Sequence, residues 1–443
     1  MTIYALSTGP GVSGIAIIRV SGKSTKEVIK KITNEKLPVP RVATLRKFNK
    51  NGQKNLIDEG VLIWFPGPNS YTGEDVAEFH VHGSRAVIST MHEAISKIKD
   101  CRLAEAGEFT KKAFQNGRIN LLKAESVADL ISSETEIQRR QAIKIMSGET
   151  AVIFNSWREK LLEILSHIEA KIDFPEENLP KNIYKNIQKI SYTVLKQIKK
   201  TLNDNNVGER IREGFKIAIV GPTNSGKSSL LNYFSKREAS IVSEIAGTTR
   251  DIVETHLNLG GYPVIISDTA GIRESKNEIE KKGIKIALNR AEDADLKLVM
   301  ISSKNVNFTT VLKSLLNKNA ILVINKSDLI KGKPNSKFRA YDHVLISVKQ
   351  NLNLNKLLVK IKSKLKTKFL NTHDILITRE RHRENLKNCV YHLERFQKKK
   401  SLNDFDKAAE DLRLATRHLG MIVGNVDVEE VLGKIFSDFC IGK

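Results

Sequence analysis

Cysteine is scarce in this sequence: its 443 residues include only Cys101, Cys389 and Cys440. Their spacing forms neither a CxxC pair nor a metal knuckle, and three are too few for a disulfide framework, which favours a reducing compartment. Long apolar runs are missing too, since none approaches the roughly 18 residues of a membrane-spanning helix. The first residues show no basic segment followed by an apolar one, so no signal peptide is expected. We therefore expect a cytoplasmic protein without a membrane segment.

Acidic residues are in deficit. Lys and Arg number 73 against 50 Asp and Glu, which gives a formal charge of +23. An apolar content of 40% and a charged content of 28% exclude a disordered or membrane-embedded chain and indicate a globular protein of two or three domains. The excess charge has two readings, a polyanionic partner such as nucleic acid or a Lys-, Ile- and Asn-rich genome composition, and both stay open. Most of it, +14, falls in residues 214–372.

The spacing of apolar residues divides the chain into four segments. Residues 1–120 mix strands with a helix over 84–98, and residues 121–213 repeat apolar side chains at the helical period. Residues 214–372 alternate short apolar strands with helices, the pattern of a parallel sheet covered on both faces. Residues 373–443 return to helix, so we expect a helical domain interrupted by an inserted α/β domain. The predicted strands are Ile15–Val20, Val61–Phe65, Phe215–Val220, Val264–Ser267, Leu296–Ile301, Ala320–Ile324 and Val344–Ile346.

The strongest motif follows the strand predicted over Phe215–Val220. Gly221–Ser228, with the sequence GPTNSGKS, fits the P-loop pattern and opens a predicted helix, the context that this motif requires. Its glycines let backbone N–H groups surround phosphates. Lys227 supplies positive charge to the β- and γ-phosphates, and the Ser228 hydroxyl is a ligand for Mg²⁺. The predicted nucleotide contacts here are Asn224, Ser225, Gly226, Lys227, Ser228 and Ser229.

Later motifs, each at the end of a predicted strand, narrow the nucleotide to GTP. The Asp268–Gly271 motif offers a carboxylate for Mg²⁺ and an N–H for the γ-phosphate. The Asn325–Asp328 motif ends in a carboxylate that can accept hydrogen bonds from guanine N1–H and the exocyclic amine, a pair of donors that adenine lacks. Ser347–Lys349 suits backbone contact with the base oxygen. Because such motifs meet at one edge of a parallel sheet, we predict a GTPase. Its further contacts are Asp268, Gly271, Asn325, Lys326, Asp328, Ser347 and Lys349.

One group needed for hydrolysis is absent from its usual place. Ile272 follows Gly271, where many regulatory GTPases carry a glutamine that positions water. An aliphatic side chain does not orient water, so the catalytic group must come from elsewhere. The segment Ile245–Asp251 lies where a switch loop would supply a threonine to Mg²⁺.

The chain resembles the bacterial family of tRNA-modification GTPases called MnmE or TrmE. The resemblance rests on Pro66–Asp75, Gly107–Thr110, Ala124-Glu125, Ile245–Asp251 and the ending Phe439–Lys443, and it extends over essentially the whole chain. It implies a multidomain α/β fold: an N-terminal α+β folate-binding domain that also dimerises, an α-helical domain and an inserted P-loop GTPase domain with a Ras-like parallel sheet. The matching segments are 1–120 for the first domain, 121–213 and 373–443 for the helical domain, and 214–372 for the GTPase domain.

The resemblance also implies how GTP is hydrolysed. GTPase domains of this family meet across the dimer and bind K⁺ in place of an arginine finger, which neutralises charge in the transition state. Thr249 matches the Mg²⁺-binding switch threonine. Glu280 matches the catalytic glutamate, which orients the attacking water through a bridging water, and Arg273 matches a neighbouring switch residue. The family usually has threonine at Ser243, a change that a backbone carbonyl ligand would tolerate. The residues that match the K⁺ ligands are Asn224, Ser243, Ile245 and Thr248.

A tetrahydrofolate derivative, in the 5-formyl or methylene form, is the cofactor that the family match implies. The matching folate positions are Arg19, Glu78, Arg118 and Lys443. The family commonly has lysine where Arg118 stands, which keeps the charge but changes the donor geometry. Cys440 matches a family cysteine near the one-carbon unit.

The implied partners are a second copy of the chain, a flavin-dependent protein called MnmG or GidA, and tRNA, with no membrane. With the flavoprotein, in a heterotetramer, family members attach an aminomethyl or carboxymethylaminomethyl group to carbon 5 of the wobble uridine of certain tRNAs.

Two other functions stay open. A ribosome-assembly GTPase would share the nucleotide motifs but would not explain the folate positions or the Cys440–Lys443 ending. A folate-binding or scaffolding module with slow, incidental GTP turnover is the second.

Two minor features favour plain structural roles. The lysines between 360 and 368 recur at i+2 spacing, which spreads charge around a helix and favours a solvated surface over an RNA contact. His80 and His82 share one face of a strand, where solvated or hydrogen-bonded histidines are favoured over a metal pair.

Overall fold

The computed structural model forms two compact units. One comprises Met1–Ala128, Ile145–Ser166 and Leu412–Lys443, and the other comprises Asp129–Lys144 and His167–Asp411. These units divide the chain differently from the four segments read from the sequence, whose boundaries stay a prediction. The residues that the structure describes are 1–50, 55–174, 183–237, 254–268, 291–304, 310–330, 338, 340–369, 375–399, 405–426, 432–433, 435–436, 439–440 and 442.

The described residues form two sheets and a set of helices. The strands are β1 (Thr2–Leu6), β2 (Ser13–Ser21), β3 (Thr44–Asn49), β4 (Leu56–Phe65), β5 (Val76–Gly83), β6 (Cys101–Leu103), β7 (Phe215–Val220), β8 (Glu254–Leu259), β9 (Tyr262–Asp268), β10 (Leu296–Ser302), β11 (Ala320–Asn325) and β12 (His343–Leu345). The helices are α1 (Thr25–Thr33), α2 (Arg85–Ser96), α3 (Glu108–Gln115), α4 (Leu121–Ile131), α5 (Glu136–Met146), α6 (Glu149–Asp173), α7 (Ile183–Leu202), α8 (Val207–Glu213), α9 (Lys227–Arg237), α10 (Thr310–Leu315), α11 (Leu354–Phe369), α12 (Glu380–Lys398) and α13 (Phe405–Val423). Within the described ranges, no helix has both the length and the apolar character needed to cross a bilayer.

The first unit contains a mixed α+β domain, as predicted. Its sheet has the order β3-β4-β5-β2-β1-β6, antiparallel except for the parallel pair β1–β6. Helices α1 and α2 contact the sheet, and Phe48, Phe79 and Met91 are fully buried in the core there. Because side chains alternate along a strand, Glu78 and His80 of β5 lie on the face opposite Phe79. That open face carries polar and apolar groups together.

The second unit contains the predicted sheet of mostly parallel strands, in the order β12-β11-β10-β7-β9-β8. Successive residues of β7 enter two different apolar clusters, Ile217 and Ile219 on one face and Ala218 and Val220 on the other. Both faces are therefore covered, as expected for parallel strands rich in Val and Ile.

One strand of this sheet was not anticipated. β8 runs antiparallel to β9, and the two are joined at Gly260 and Gly261, which have φ values of 63° and 92°. Two glycines between alternating segments are a hairpin signal, since glycine adopts such φ values more readily than any other residue. The sequence carries this signal, but between the P-loop and Asp268 we predicted only the strand Val264–Ser267 and a switch loop over Ile245–Asp251.

Helices from both sides of the α/β segment pack together in the second unit. α7 contacts α12, although the whole second sheet lies between them in sequence. The guanidinium of Arg383 on α12 donates to both carboxylate oxygens of Glu209 at 2.6 and 3.0 Å, to Asp204 at 2.7 Å and to the Leu202 carbonyl oxygen at 3.1 Å. Since Arg383 and Glu209 are buried, this network joins the two helical stretches firmly.

Candidate functional site

The P-loop leaves β7 at the carboxyl edge of the second sheet and enters α9. Asn224 and Gly226 adopt positive φ values of 60° and 101°. A Cβ atom at Gly226 would lie 2.2 Å from Nδ2 of Asn325, and one at Gly221 would lie 2.1 Å from the Met300 carbonyl oxygen. Both positions therefore require glycine, because β10 and β11 approach the loop too closely for a side chain.

Lys227 projects across the loop that precedes it. Its ammonium group donates to the carbonyl oxygens of Gly221 at 3.0 Å and Pro222 at 3.1 Å, and the side chain is buried. Ser228 and Ser229 follow in the first turn of α9 and are exposed. A buried cation at a helix N-terminus is a favourable environment for phosphates. A serine hydroxyl such as that of Ser228 is an oxygen donor of the kind that Mg²⁺ accepts.

Asn325 at the end of β11 connects the P-loop to the loops on the base side. Its Nδ2 donates to the Ser225 carbonyl oxygen at 2.8 Å, and its Oδ1 accepts from the Val348 N–H at 3.2 Å. Lys326 follows with a positive φ of 61° and caps a short 3₁₀ turn, Ser327–Leu329. Three loops that are distant in sequence are thereby tied together by one amide.

Asp328 carries an orphaned acceptor. Its Oδ1 is buried and has no hydrogen-bond partner among the described residues. A buried polar atom left unpaired is costly, so native sites supply a partner from protein, water or ligand. Guanine N1–H and its exocyclic amine are donors of the required kind. Ser347 and Lys349 follow β12 in the sequence. Ser347 is buried, and Lys349 is exposed.

The remaining predicted nucleotide contacts are only partly described. Asp268 ends β9, whose pairing with β7 places it at the same edge as the P-loop. The other predicted residues lie outside the described residues: Ser243, Ile245, Thr248, Thr249, Gly271, Arg273 and Glu280.

On the open face of the first sheet, Arg19 and Glu78 form an ion pair. Nε and Nη2 of Arg19 donate to Oε1 of Glu78 at 3.0 and 2.9 Å, and the guanidinium carbon lies 5.7 Å from the ring centroids of Tyr71 and Phe109. The other carboxylate oxygen, Oε2, is 3.7 Å from Nε2 of His80, a buried atom without a hydrogen-bond partner in the described chain. These groups offer adjacent donors and acceptors to a flat heterocycle. Sequence reasoning missed His80 in this role, having weighed it only against a metal pair.

His82 makes hydrogen bonds, one of the two alternatives that the sequence favoured over a metal pair. Its Nδ1 lies 2.8 Å from Asp58 Oδ1, and its backbone N–H donates to Oδ2 at 2.7 Å. Burial would raise the pKa of Asp58, but these hydrogen bonds outweigh it and lower the pKa below its ordinary value. Over the described part of the chain, no three His, Cys, Asp or Glu side chains cluster as metal ligands.

The end of the chain lies against β1. The Ser7 hydroxyl donates to the Gly442 carbonyl oxygen at 2.9 Å, and a Cβ at Gly442 would lie 2.1 Å from the Leu6 carbonyl oxygen. Leu6 pairs with Ile18, the residue before Arg19, so this end lies close to β2, the strand that carries Arg19.

The other predicted folate positions differ in how far they are described. Arg118 is exposed, and its side chain lies close to Gly73. A Cβ atom added at Gly73 would be 3.3 Å from the Cγ of Arg118. Lys443 lies outside the described residues. Cys440 is exposed, whereas burial raises the pKa of Cys101 to about 11.

Comparisons with known proteins cover the whole chain. A family model described as "GTP-binding protein TrmE N-terminus" matches residues 2–118, and one described as "MnmE helical domain" matches residues 121–440. A protein of Pelagibacter ubique (strain HTCC1062) called tRNA modification GTPase MnmE is 70% identical over 443 residues, with all of both chains covered. A protein of the same name from Rickettsia bellii (strain RML369-C) is 44% identical over 449 residues, again with full coverage.

Among solved structures, the G domain of the T. maritima FeoB iron transporter is 25% identical, covers 34% of this chain and 98% of its own, and has a TM-score of 0.27. The two family models and the full-length identity place this chain in the MnmE (TrmE) family.

Proposed function

We propose that the protein is a GTP-hydrolysing tRNA-modification enzyme. With a flavoprotein partner of the MnmG (GidA) type, it adds an aminomethyl or carboxymethylaminomethyl group to carbon 5 of wobble uridine, using a tetrahydrofolate one-carbon unit. GTP binding is supported by the buried Asp328 Oδ1, which has no hydrogen-bond partner among the described residues. It follows Asn325, whose amide is hydrogen-bonded to Ser225 of the P-loop. The modification itself is supported by the names of the full-length relatives. We assign the protein to the cytoplasm, where tRNA is modified.

The chain's own residues divide the work at the GTP site. The P-loop N–H groups and Lys227 bind the phosphates, Ser228 and Thr249 bind Mg²⁺, and Asp268 and Gly271 complete the phosphate side. Asn325 and Asp328 read the base, with Lys326, Ser347 and Lys349 around it. The hydroxyl of Ser228 in the first turn of α9 fits Mg²⁺, a hard cation that prefers oxygen ligands. The remaining proposed roles are catalysis by Glu280 with Arg273, and K⁺ binding by Asn224, Ser243, Ile245 and Thr248.

Potassium should accelerate hydrolysis. Asn224 is an exposed residue of the P-loop with a positive φ, and an amide oxygen is a donor of the kind that a monovalent cation takes. Because K⁺ would neutralise charge that develops on the phosphates, we expect kcat in K⁺ to exceed kcat in Na⁺ by about tenfold or more. Steady-state GTP turnover at equal ionic strength measures this, with Asn224→Ala as the variant that should lose the difference. Equal rates in both salts would contradict the cation role.

Folate affinity should depend on Arg19. Removing its charge leaves Glu78 without its two hydrogen bonds and takes a donor from the proposed pocket, so Arg19→Met should raise the Kd for 5-formyltetrahydrofolate roughly 10- to 100-fold. Isothermal titration calorimetry measures the Kd. Arg46→Met is the matched control, since it breaks an ion pair with Glu35 at 3.0 Å in the same unit. An equal loss in both variants, or none in Arg19→Met, would remove the assignment.

The open face of the first sheet supports a homodimer. Ile15 and Leu45 are 64% and 63% exposed, and Val61 and Ile63 are only half-buried on the same face. Contiguous exposed apolar groups on a sheet mark an interaction surface. We assign a second copy of the chain to this face, beside the proposed folate pocket.

Mass analysis of wobble uridines tests the function as a whole. Cells that lack the protein should contain tRNA with unmodified carbon 5, and the wild-type gene should restore the modification. Normal wobble uridines together with an altered ribosomal subunit profile would favour a ribosome-assembly GTPase instead. Normal results in both assays would leave a folate-binding module with incidental GTP turnover.

A further inference from the structure

Helix α7 carries an unbalanced charge that the sum over the helical segments conceals. Residues 121–213 and 373–443 each carry a net +1, yet α7 contains five lysines and no Asp or Glu. Helix α6, just before it in sequence, has five acidic residues against three basic ones. The near-neutral total of residues 121–213 therefore conceals one strongly basic helix, whose charge is offset by acidic residues elsewhere in the segment.

The exposed residues of α7 form one stripe. Lys185, Lys189, Tyr192, Lys196 and Lys200 succeed one another at spacings of three or four residues, which places them on one side of a helix. All five are exposed, and Tyr192 is 58% exposed. At about 1.5 Å a residue the stripe is roughly 22 Å long.

The lysines of this stripe are available to a ligand. Within the described part of the chain, Lys185, Lys189, Lys196 and Lys200 make no ion pair, whereas Lys199 beside the stripe is bound to Glu394 at 2.5 Å. The opposite side of α7 is buried, and Gln397 of α12 donates to the Ser191 hydroxyl there at 2.5 Å.

Helix α11, the other lysine-rich helix, is arranged differently. Lys360 and Lys364 both pair with Asp342, and Lys364 also donates to the Lys318 carbonyl oxygen at 3.1 Å. Its charge is thus partly neutralised and spread around the helix. Among the lysines of α11 whose side chains are described, Lys356 and Lys366 are exposed and lie outside these pairs.

We propose that the stripe formed by Lys185, Lys189, Tyr192, Lys196 and Lys200 is a docking surface for RNA. Lysines one turn apart match the repeated charge of a phosphate backbone, and an exposed aromatic ring between them offers a face on which an unpaired base stacks. A membrane is disfavoured because the apolar side of α7, which includes Val194 and Ile198, is buried within the protein. The identity of the RNA as tRNA rests on the proposed function.

The surface is tested with an unmodified transcript of a tRNA that has a wobble uridine. Fluorescence anisotropy measures how tightly the protein binds this transcript at several KCl concentrations. The double variant Lys189→Ala/Lys196→Ala should weaken binding roughly 10- to 100-fold and reduce the slope of log K against log[salt] by about 1.5 to 2. The double variant Lys356→Ala/Lys366→Ala on α11 removes the same charge and should change affinity less than about threefold. Tyr192→Ala should weaken binding roughly 5- to 100-fold, whereas Tyr192→Phe, which keeps the ring, should bind like wild type. GTP turnover without RNA should be unchanged in all four and shows that they are folded.

Several results would overturn this inference. Equal losses in the α7 and α11 double variants would indicate a diffuse charge effect. Unchanged RNA affinity with lost binding of the flavoprotein partner would make the stripe a protein interface. Wild-type protein that binds no transcript would also exclude the surface, while the proposed function would still stand or fall with the analysis of wobble uridines.

Discussion

Replacing Asp328 by asparagine is expected to convert the site from GTP to xanthosine triphosphate. The orphaned Oδ1 of Asp328 is an acceptor, and an asparagine amide there presents a donor to the exocyclic amine of guanine, which is itself a donor. Xanthine has a carbonyl oxygen in that place and accepts the new hydrogen bond. We expect kcat/KM for GTP to fall by roughly 10³- to 10⁴-fold and kcat/KM for the xanthosine nucleotide to rise by a similar factor.

Turnover of both nucleotides by Asp328→Asn and wild type measures the exchange. ATP should stay a poor substrate of both proteins, because neither side chain matches its base edge. Folate binding should be unchanged, since the Arg19–Glu78 pair belongs to the other compact unit. Equal losses for GTP and the xanthosine nucleotide would show that Asp328 supports the loop without reading the base.

Arg383→Met should strongly destabilise the second unit. It would leave the buried Glu209 carboxylate, and Asp204 beside it, without the guanidinium that pairs with both. Breaking a buried ion pair from one side costs about 3–5 kcal/mol, because the remaining charge stays buried and unpaired. We expect the free energy of unfolding of the second unit to fall by about that amount, measured by urea denaturation followed by circular dichroism.

Lys387→Met on the same helix is the matched control. Its ammonium lies 4.0 Å from Glu380, and both side chains are exposed, so the loss should stay below about 1 kcal/mol. The double variant Arg383→Met/Glu209→Leu should recover part of the lost stability, since it removes one of the uncompensated charges. An Arg383→Met protein as stable as the control would show that the network contributes little.

Much of the second sheet was predictable because its strands are short, continuous and apolar. β7 was predicted with its observed bounds, and β10 and β11 were predicted within one residue. Burial on both faces makes such strands uniform in composition, so their position along the chain is easy to read. The antiparallel β8 was missed because its signal lies in the Gly260–Gly261 turn and its apolar content is low.

The candidate sites were predicted unevenly for a related reason. The P-loop and the Asn325–Asp328 motif each consist of consecutive residues, so the chemistry of each can be predicted without knowing the fold. The placement of His80 beside Glu78 depends on which face of β5 is open, and the bond from Asn325 to Ser225 depends on two strand ends meeting. Such contacts arise from tertiary packing and leave no local pattern. The same holds for the α7 stripe, which a net charge of +1 over residues 121–213 obscures.

The bridge made by Asn325 has a consequence for kinetics. One amide hydrogen bond joins the loop that we propose binds the base to the backbone of the loop that we propose binds the phosphates, and only a glycine at position 226 leaves room for it. A nucleotide with the wrong base would therefore disturb the reacting end of the molecule as well as the recognition end. Discrimination between bases should appear as slower turnover of the bound nucleotide in addition to weaker capture, so selectivity would persist even at saturating substrate.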